Sequence, residues 1–189
     1  VIVRAMRALR SEWDLLWIPN LESWSGAHEP MVRALRAGRL GIRSRPRDFS
    51  TVTLPADYQA FLASMSTNRR QQIRRNTKKI LSKPGVEVRK VTTREELGPA
   101  LDALFRLHGK RWRAVGQDGV FDRNVKEREF YECFAPEALA RGWLAVYTLF
   151  DGSEPKAVQI GYVYGRAFLQ LQEGFDPDYS PHVGNALRT

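Results

Sequence analysis

Apolar residues recur along this chain with two periods, and the change from one to the other marks its elements. Val86 to Val91 alternates apolar and polar positions as a half-buried strand does. Leu97, Leu101, Leu104, Phe105, His108 and Trp112 then return at the spacing of one helix face. Thr93-Arg94-Glu95-Glu96 ahead of them is a capping box, in which the Thr93 side chain and Glu96 satisfy each other's free backbone N–H. Pro99 either kinks this helix or belongs to its first turn. A second helix is predicted from about 124 to 141, with Phe130, Tyr131, Phe134 and Leu139 turned inward. Trp143 to Phe150, Lys156 to Tyr164 and Phe168 to Glu173 read as strands, with Asp151-Gly152 and Gly165-Arg166 as their turns. Such short connections make the three an antiparallel meander. The order predicts a mixed α/β (α+β) fold.

Upstream, Phe61, Leu62, Met65, Ile73, Ile80 and Leu81 predict one long helix over 57–83, ended by Pro84-Gly85. Before it, Trp13 to Ile18, Leu40 to Arg45 and Ser50 to Leu54 read as strands, and Pro30 to Ala37 as a short helix stopped by Gly38. Residues 1–54 hold too few elements to close a core. They read as the tail of an upstream domain or as an edge added to the downstream one, 55–85 as a basic linking helix, and 86–189 as the front of a further domain. The chain begins with valine and its final helix has only begun, so it reads as a piece of a longer protein.

Composition narrows the class. With 43 % apolar and 11 % aromatic residues in 189, the chain can bury a core and is not of disordered composition. A single cysteine, Cys133, excludes an internal disulfide framework and fits a reducing compartment. No run approaches the roughly 20 apolar residues of a membrane span. The expectation is a soluble, cytoplasmic protein. The net charge of +9 is localised: residues 1–54 contribute +4, 55–90 contribute +7 and 91–189 contribute −2. Arg69 to Lys79 contains no acid, and Arg70, Arg74 and Lys78 stack at i, i+4, a like-charge spacing that costs a few tenths of a kcal/mol per pair. Either this is a solvated face, or these three bind an anion in RNA, in a nucleotide or at a membrane surface.

The strongest candidate chemistry lies near the end. Leu169 to Glu173 leads through Gly174-Phe175-Asp176-Pro177-Asp178-Tyr179 into Ser180-Pro181-His182-Val183-Gly184-Asn185-Ala186-Leu187. A strand that feeds a glycine-bearing loop at a helix start is either an ordinary turn or an anion site made of backbone N–H groups. His28, His108 and His182 have no ligand-like spacing with Cys133 or with acids, so no metal is expected. His108, on an apolar helix face, reads as a core histidine.

Leu54-Pro55, Asn68-Arg69-Arg70 with Arg74-Arg75, Leu107-His108-Gly109-Lys110-Arg111-Trp112, Gly174-Phe175-Asp176-Pro177 and Ser180-Pro181 occur in an order that resembles the GNAT acyltransferase superfamily. Within it, the chain resembles the CelD-like branch, associated with cellulose biosynthesis and related to the FemAB aminoacyl transferases. The resemblance covers residues 50–189 and, more loosely, 11–49. The family's phosphate loop tends to read Ser-Pro-Gly, whereas here the glycine follows later, at Gly184. The resemblance implies two GNAT-like halves and acyl transfer from acyl-CoA, acetyl-CoA foremost, to an amine or hydroxyl. It also implies a setting in polysaccharide or envelope assembly. Ser180, Val183, Gly184, Asn185 and Ala186 would hold the cofactor's pyrophosphate, and a strand N–H near residues 171–173 the oxyanion. Glu173 would be the base, unless it is a surface acid, and Tyr179 would protonate the leaving thiolate, unless it is a packed loop aromatic. The alternatives are a FemAB-like transferase using aminoacyl-tRNA, and a non-catalytic RNA-binding or scaffold module using residues 69–79.

Overall fold

The computed structural model describes residues 2–18, 26–46, 48 and 50–188, in two units, Val1–Leu54 and Pro55–Thr189. The first holds helix α1 (Ile2–Ala8), a 3-10 turn (Arg10–Glu12) and helix α2 (His28–Ala37). The Trp13 indole donates to the Met6 carbonyl at 3.0 Å and lies under the Arg10 guanidinium. The three strands predicted in this unit do not form among its described residues. Leu15 is 80 % and Trp17 65 % exposed, and no described residue of the unit is buried. An apolar run becomes a strand only when a partner takes up its backbone groups, and none is present here.

The second unit opens with α3 (Tyr58–Ala63) and α4 (Thr67–Leu81), so the single helix predicted over 57–83 is two. The break follows from side chains that bond backbone. Asp57 caps α3 by accepting from the Ala60 N–H at 2.8 Å, the Ser64 hydroxyl donates to the Phe61 carbonyl at 2.7 Å, and Ser66 caps α4. Strand β1 (Val86–Lys90) leads to α5 (Arg94–Arg113), which carries the predicted capping box and runs through Pro99. A short α6 (Val120–Arg123) and α7 (Val125–Ala140) follow, then β2 (Leu144–Asp151), β3 (Glu154–Tyr164), β4 (Ala167–Phe175) and α8 (Val183–Leu187).

The sheet has the order β1-β2-β3-β4, antiparallel throughout. Alternation along its strands serves two cores. Val146, Val158 and Ile160 pack with Leu101, Leu104, Phe105 and Leu107 of α5 and with Tyr131 and Ala135 of α7. Leu149 and Ala157 join Ile80 of α4 and Val183 and Ala186 of α8. The basic helix is thus built into this unit through Ile80. Phe130, expected inward, is 48 % exposed and stacks on Phe134 at 5.4 Å, while Tyr131 faces the core as expected. The mixed α/β arrangement matches the expected fold class.

Candidate active site

The end of β4 gathers the polar groups. Opposite β3, the register moves from Ile160↔Gln172 to Gly161↔Gln170, which leaves Leu171 as an extra residue. Such a bulge frees the extra residue from the ladder and re-aims the strand. Gly161 permits it: a Cβ there would meet the Leu169 carbonyl oxygen and the Phe168 ring at 2.6 Å. Further along, β4 lies so close to α5 that a Cβ on Gly174 would sit 2.5 Å from the His108 backbone nitrogen.

Between these glycine positions stands Glu173, opposite Gln159 and with its side chain only 11 % exposed. Its carboxylate accepts from Arg111 Nη1 at 2.8 Å, from Arg188 Nε at 2.9 Å and from Gln170 Nε2 at 3.2 Å, and also from Arg188 Nη2. The Arg111 guanidinium lies over the Phe175 ring, 4.7 Å from its centroid. Arg111, Glu173, Phe175, Pro181, Gly184, Asn185 and Arg188 line a hollow of about 210 Å³.

The loop from β4 to α8 is strapped to α5. Lys110 bonds Asp176 and reaches Asp178 at 2.9 Å, while the Asp176 N–H donates to the Lys156 carbonyl at 2.8 Å. Burial works against the Asp176 charge, but the Lys110 and Asp178 N–H bonds and the nearby lysines hold its carboxyl below the ordinary aspartate value. The same bonds raise the Lys110 ammonium. Of the N–H groups expected to cradle a phosphate, two are spent within the loop. Val183 donates to the Ser180 carbonyl at 3.2 Å and Ala186 to that of His182 at 3.0 Å. Ser180 Oγ accepts from the His182 N–H at 3.2 Å. Gly184 and Asn185, in the first turn of α8 where N–H groups lack intrahelical partners, have no such bond among the described residues.

A model of the acetyltransferase (GNAT) domain family matches residues 67–188, more than half of the chain. The chain belongs to the GNAT family. The GNAT match spans α4 through α8 and so covers the bulge, Glu173, the hollow and the loop. No curated protein matches the chain significantly. Among the described residues, no helix is long and apolar enough to cross a membrane, and no group of three or more His, Cys, Asp and Glu is placed to hold a metal ion.

Other expected site residues of this GNAT domain lie elsewhere. Tyr179 is not in the hollow. Its ring sits under Lys83 at 4.2 Å and near Lys156 at 5.7 Å, and its hydroxyl is buried. Burial and the neighbouring Asp151 carboxylate push the phenol up to about 12, too weak an acid to hand a thiolate its proton readily. On α4, Arg69, Arg74, Arg75, Lys78 and Lys79 are exposed and Arg70 is half-buried. Among the described residues none of the six pairs with a carboxylate; Arg74 instead donates to Gln59 Oε1 at 3.1 Å and Arg69 to Gln72 Oε1 at 3.1 Å. Sequence reasoning missed Arg111 and Arg188. Arg111 falls within the Leu107–Trp112 stretch that carried the resemblance, but nothing in the order of residues joins it to Glu173.

His108 is a core residue, as expected, at 3 % exposure. Its Nε2 accepts from the Trp112 indole at 3.0 Å, Phe121 packs edge-on at 4.7 Å, and among the described residues Nδ1 has no hydrogen-bond partner. Burial, with the Arg111 charge, lowers its pKa from the ordinary 6.5. A histidine depressed in the folded state takes up its proton more readily when unfolded. Its contribution is therefore complete above pH 6.5 and is lost as pH falls toward the folded value. Unfolding free energy should decline on acidification below pH 6.5, by up to about 1.4 kcal/mol per pH unit for one proton. Urea titrations of His108→Gln between pH 7 and 5 should show that component removed; an unchanged slope would assign the acid loss to other groups.

Proposed function

We propose that this GNAT unit transfers an acyl group from a coenzyme A thioester to an amine or hydroxyl acceptor. The observation that carries the reading is the bulge at Leu171, set beside a hollow walled by two guanidiniums and by Gly184 and Asn185. Cations and free N–H groups suit the donor's diphosphate, which Arg111, Arg188, Gly184 and Asn185 would hold. Ser180, Val183 and Ala186 would shape that loop and leave the direct contacts to these four. The thioester supplies an activated carbonyl. The freed backbone at Leu171 suits the oxygen that gains charge when a nucleophile adds to it. Glu173, two residues on, is the carboxylate proposed to accept the nucleophile's proton. The new C–N or C–O bond forms as the C–S bond breaks, and the thiolate takes its proton from solvent, since Tyr179 is turned away. In this reading, acetyl-CoA is the first donor to try, and the finer likeness to CelD-like and FemAB-related proteins suggests a polysaccharide or envelope acceptor. Free-thiol release from acetyl-CoA, followed over a panel of amino sugars, amino acids and polyols, tests the reading. Absence of acceptor-stimulated release with every short-chain acyl-CoA would overturn it.

The unpaired cations of α4 favour a second role, contact with an anionic polymer such as tRNA. Replacing Arg70, Arg74 and Lys78 together by glutamine should lower the slope of log affinity against log salt by up to ~2–3 if each meets a phosphate. The half-burial of Arg70 and the Arg74–Gln59 bond place the expected change toward the lower end. An unchanged slope in filter binding with tRNA would leave α4 a solvated face.

A further inference from the structure

Resting on the donor-site reading above, we infer that Glu173 is an internal competitor for the anion-binding arginines. A diphosphate entering the hollow takes guanidinium donors away from this carboxylate and frees its oxygens. The argument starts from charge. Two guanidiniums face one carboxylate across a hollow that all three line, which leaves a surplus of one positive charge. A carboxylate and a phosphate offer a guanidinium fork the same pair of oxygens, so whatever binds one of these arginines well binds the other ligand well too.

The two arginines are not equally fixed. Arg111 is wedged, with Phe175 at 4.7 Å and Trp112 at 5.5 Å from its guanidinium, and spends a single nitrogen on Glu173. It keeps donors for a ligand while holding the carboxylate. Arg188 spends Nε and Nη2 on Glu173, and its Nη1 makes only a 3.4 Å bond to Asn185 Oδ1. Its side chain is 41 % exposed against 32 % for Arg111. Arg188 is therefore the side chain that turns from carboxylate to phosphate. Lys110, one residue before Arg111, is held by Asp176 and Asp178 and does not enter the exchange.

Calorimetric titration of the chain with inorganic pyrophosphate, at one fixed ionic strength, reads the competition by its sign. With Glu173→Gln the arginines lose their internal anion, and pyrophosphate should bind about three- to tenfold more tightly than to wild type. Glu173→Asp, whose shorter side chain cannot hold both arginines, should give a smaller gain; it also carries the test if the glutamine variant does not fold. In the Arg188→Gln background, where the side chain that turns is already gone, Glu173→Gln should bring no gain. Affinity that falls or stays unchanged in Glu173→Gln would overturn the inference, because the carboxylate would then be holding the arginines in place for the anion or standing apart from it. Pyrophosphate binding absent from all variants would overturn it as well. Failure of acyl transfer from acetyl-CoA alongside tightened pyrophosphate binding would count against the donor reading alone.

Discussion

Glu173→Gln is expected to lower the turnover of acyl transfer by roughly 10²–10⁴, with a KM for acyl-CoA that stays level or falls. The amide keeps the size of the side chain and one accepting oxygen, so the register of β4 against β3 survives. What is lost is an acceptor for the nucleophile's proton. A carboxylate whose only task were to tether Arg111 and Arg188 would give the opposite split, a raised KM with turnover little changed. Steady-state kinetics across pH 6–9 separates the two. Wild-type turnover throughout that range would remove Glu173 from the chemistry.

Gly174→Ala is expected to be the most damaging single methyl group in the Pro55–Thr189 unit. Its Cβ would stand 2.5 Å from the His108 nitrogen, 2.8 Å from the Leu104 carbonyl oxygen and 2.9 Å from the Leu107 carbonyl carbon. All three are backbone atoms of α5, so no side chain can turn aside. Either α5 lifts from the sheet or β4 bends away from it. Overpacking of this kind costs about 3 kcal/mol or more, a fall in Tm of roughly 10 °C for a unit of this size. Thermal unfolding followed by circular dichroism measures it. A variant within 2 °C of wild type would show that β4 and α5 can separate there at little cost.

The two glycines of β4's surroundings show where sequence suffices and where it fails. Gly174 reads in the sequence as the start of a turn, but it lies inside β4 opposite Val158, whereas the helices and strands after residue 86 carry strong local signals. The capping box of α5 is one, and the apolar runs of β2 and β3, bounded by the turns at Asp151-Gly152 and Gly165-Arg166, are another. Those runs persist because both faces of β2 and β3 are packed, so consecutive residues along them are buried. In Val1–Leu54 the same kind of apolar run at Trp13 to Ile18 has no partner strand, and the pattern misleads. The break at Ser64 to Ser66 was hidden because serines that bond their own backbone look like ordinary polar helix positions. The site was half legible. Glu173 and the loop to Gly184 follow from their place after a strand. The bulge at Leu171 depends on register against β3, and the arginines that hold Glu173 come from 62 residues upstream and 15 downstream, contacts that only the folded chain defines.

The two-sided sheet also sets a timetable for the ribosome. Strands β1 to β4 lie side by side in the order in which they are made, so each can add to an edge that already exists, and α5 and α7 precede the three strands they cover. Helix α4 has no such convenience. Ile80 is buried against Leu149, Ala157, Val183 and Ala186, and the last two are made about a hundred residues after it. Until then a strongly basic helix trails with its apolar side uncovered. The Pro55–Thr189 unit closes that face last, and a nascent chain stalled before α8 would present it to chaperones and to any polyanion nearby.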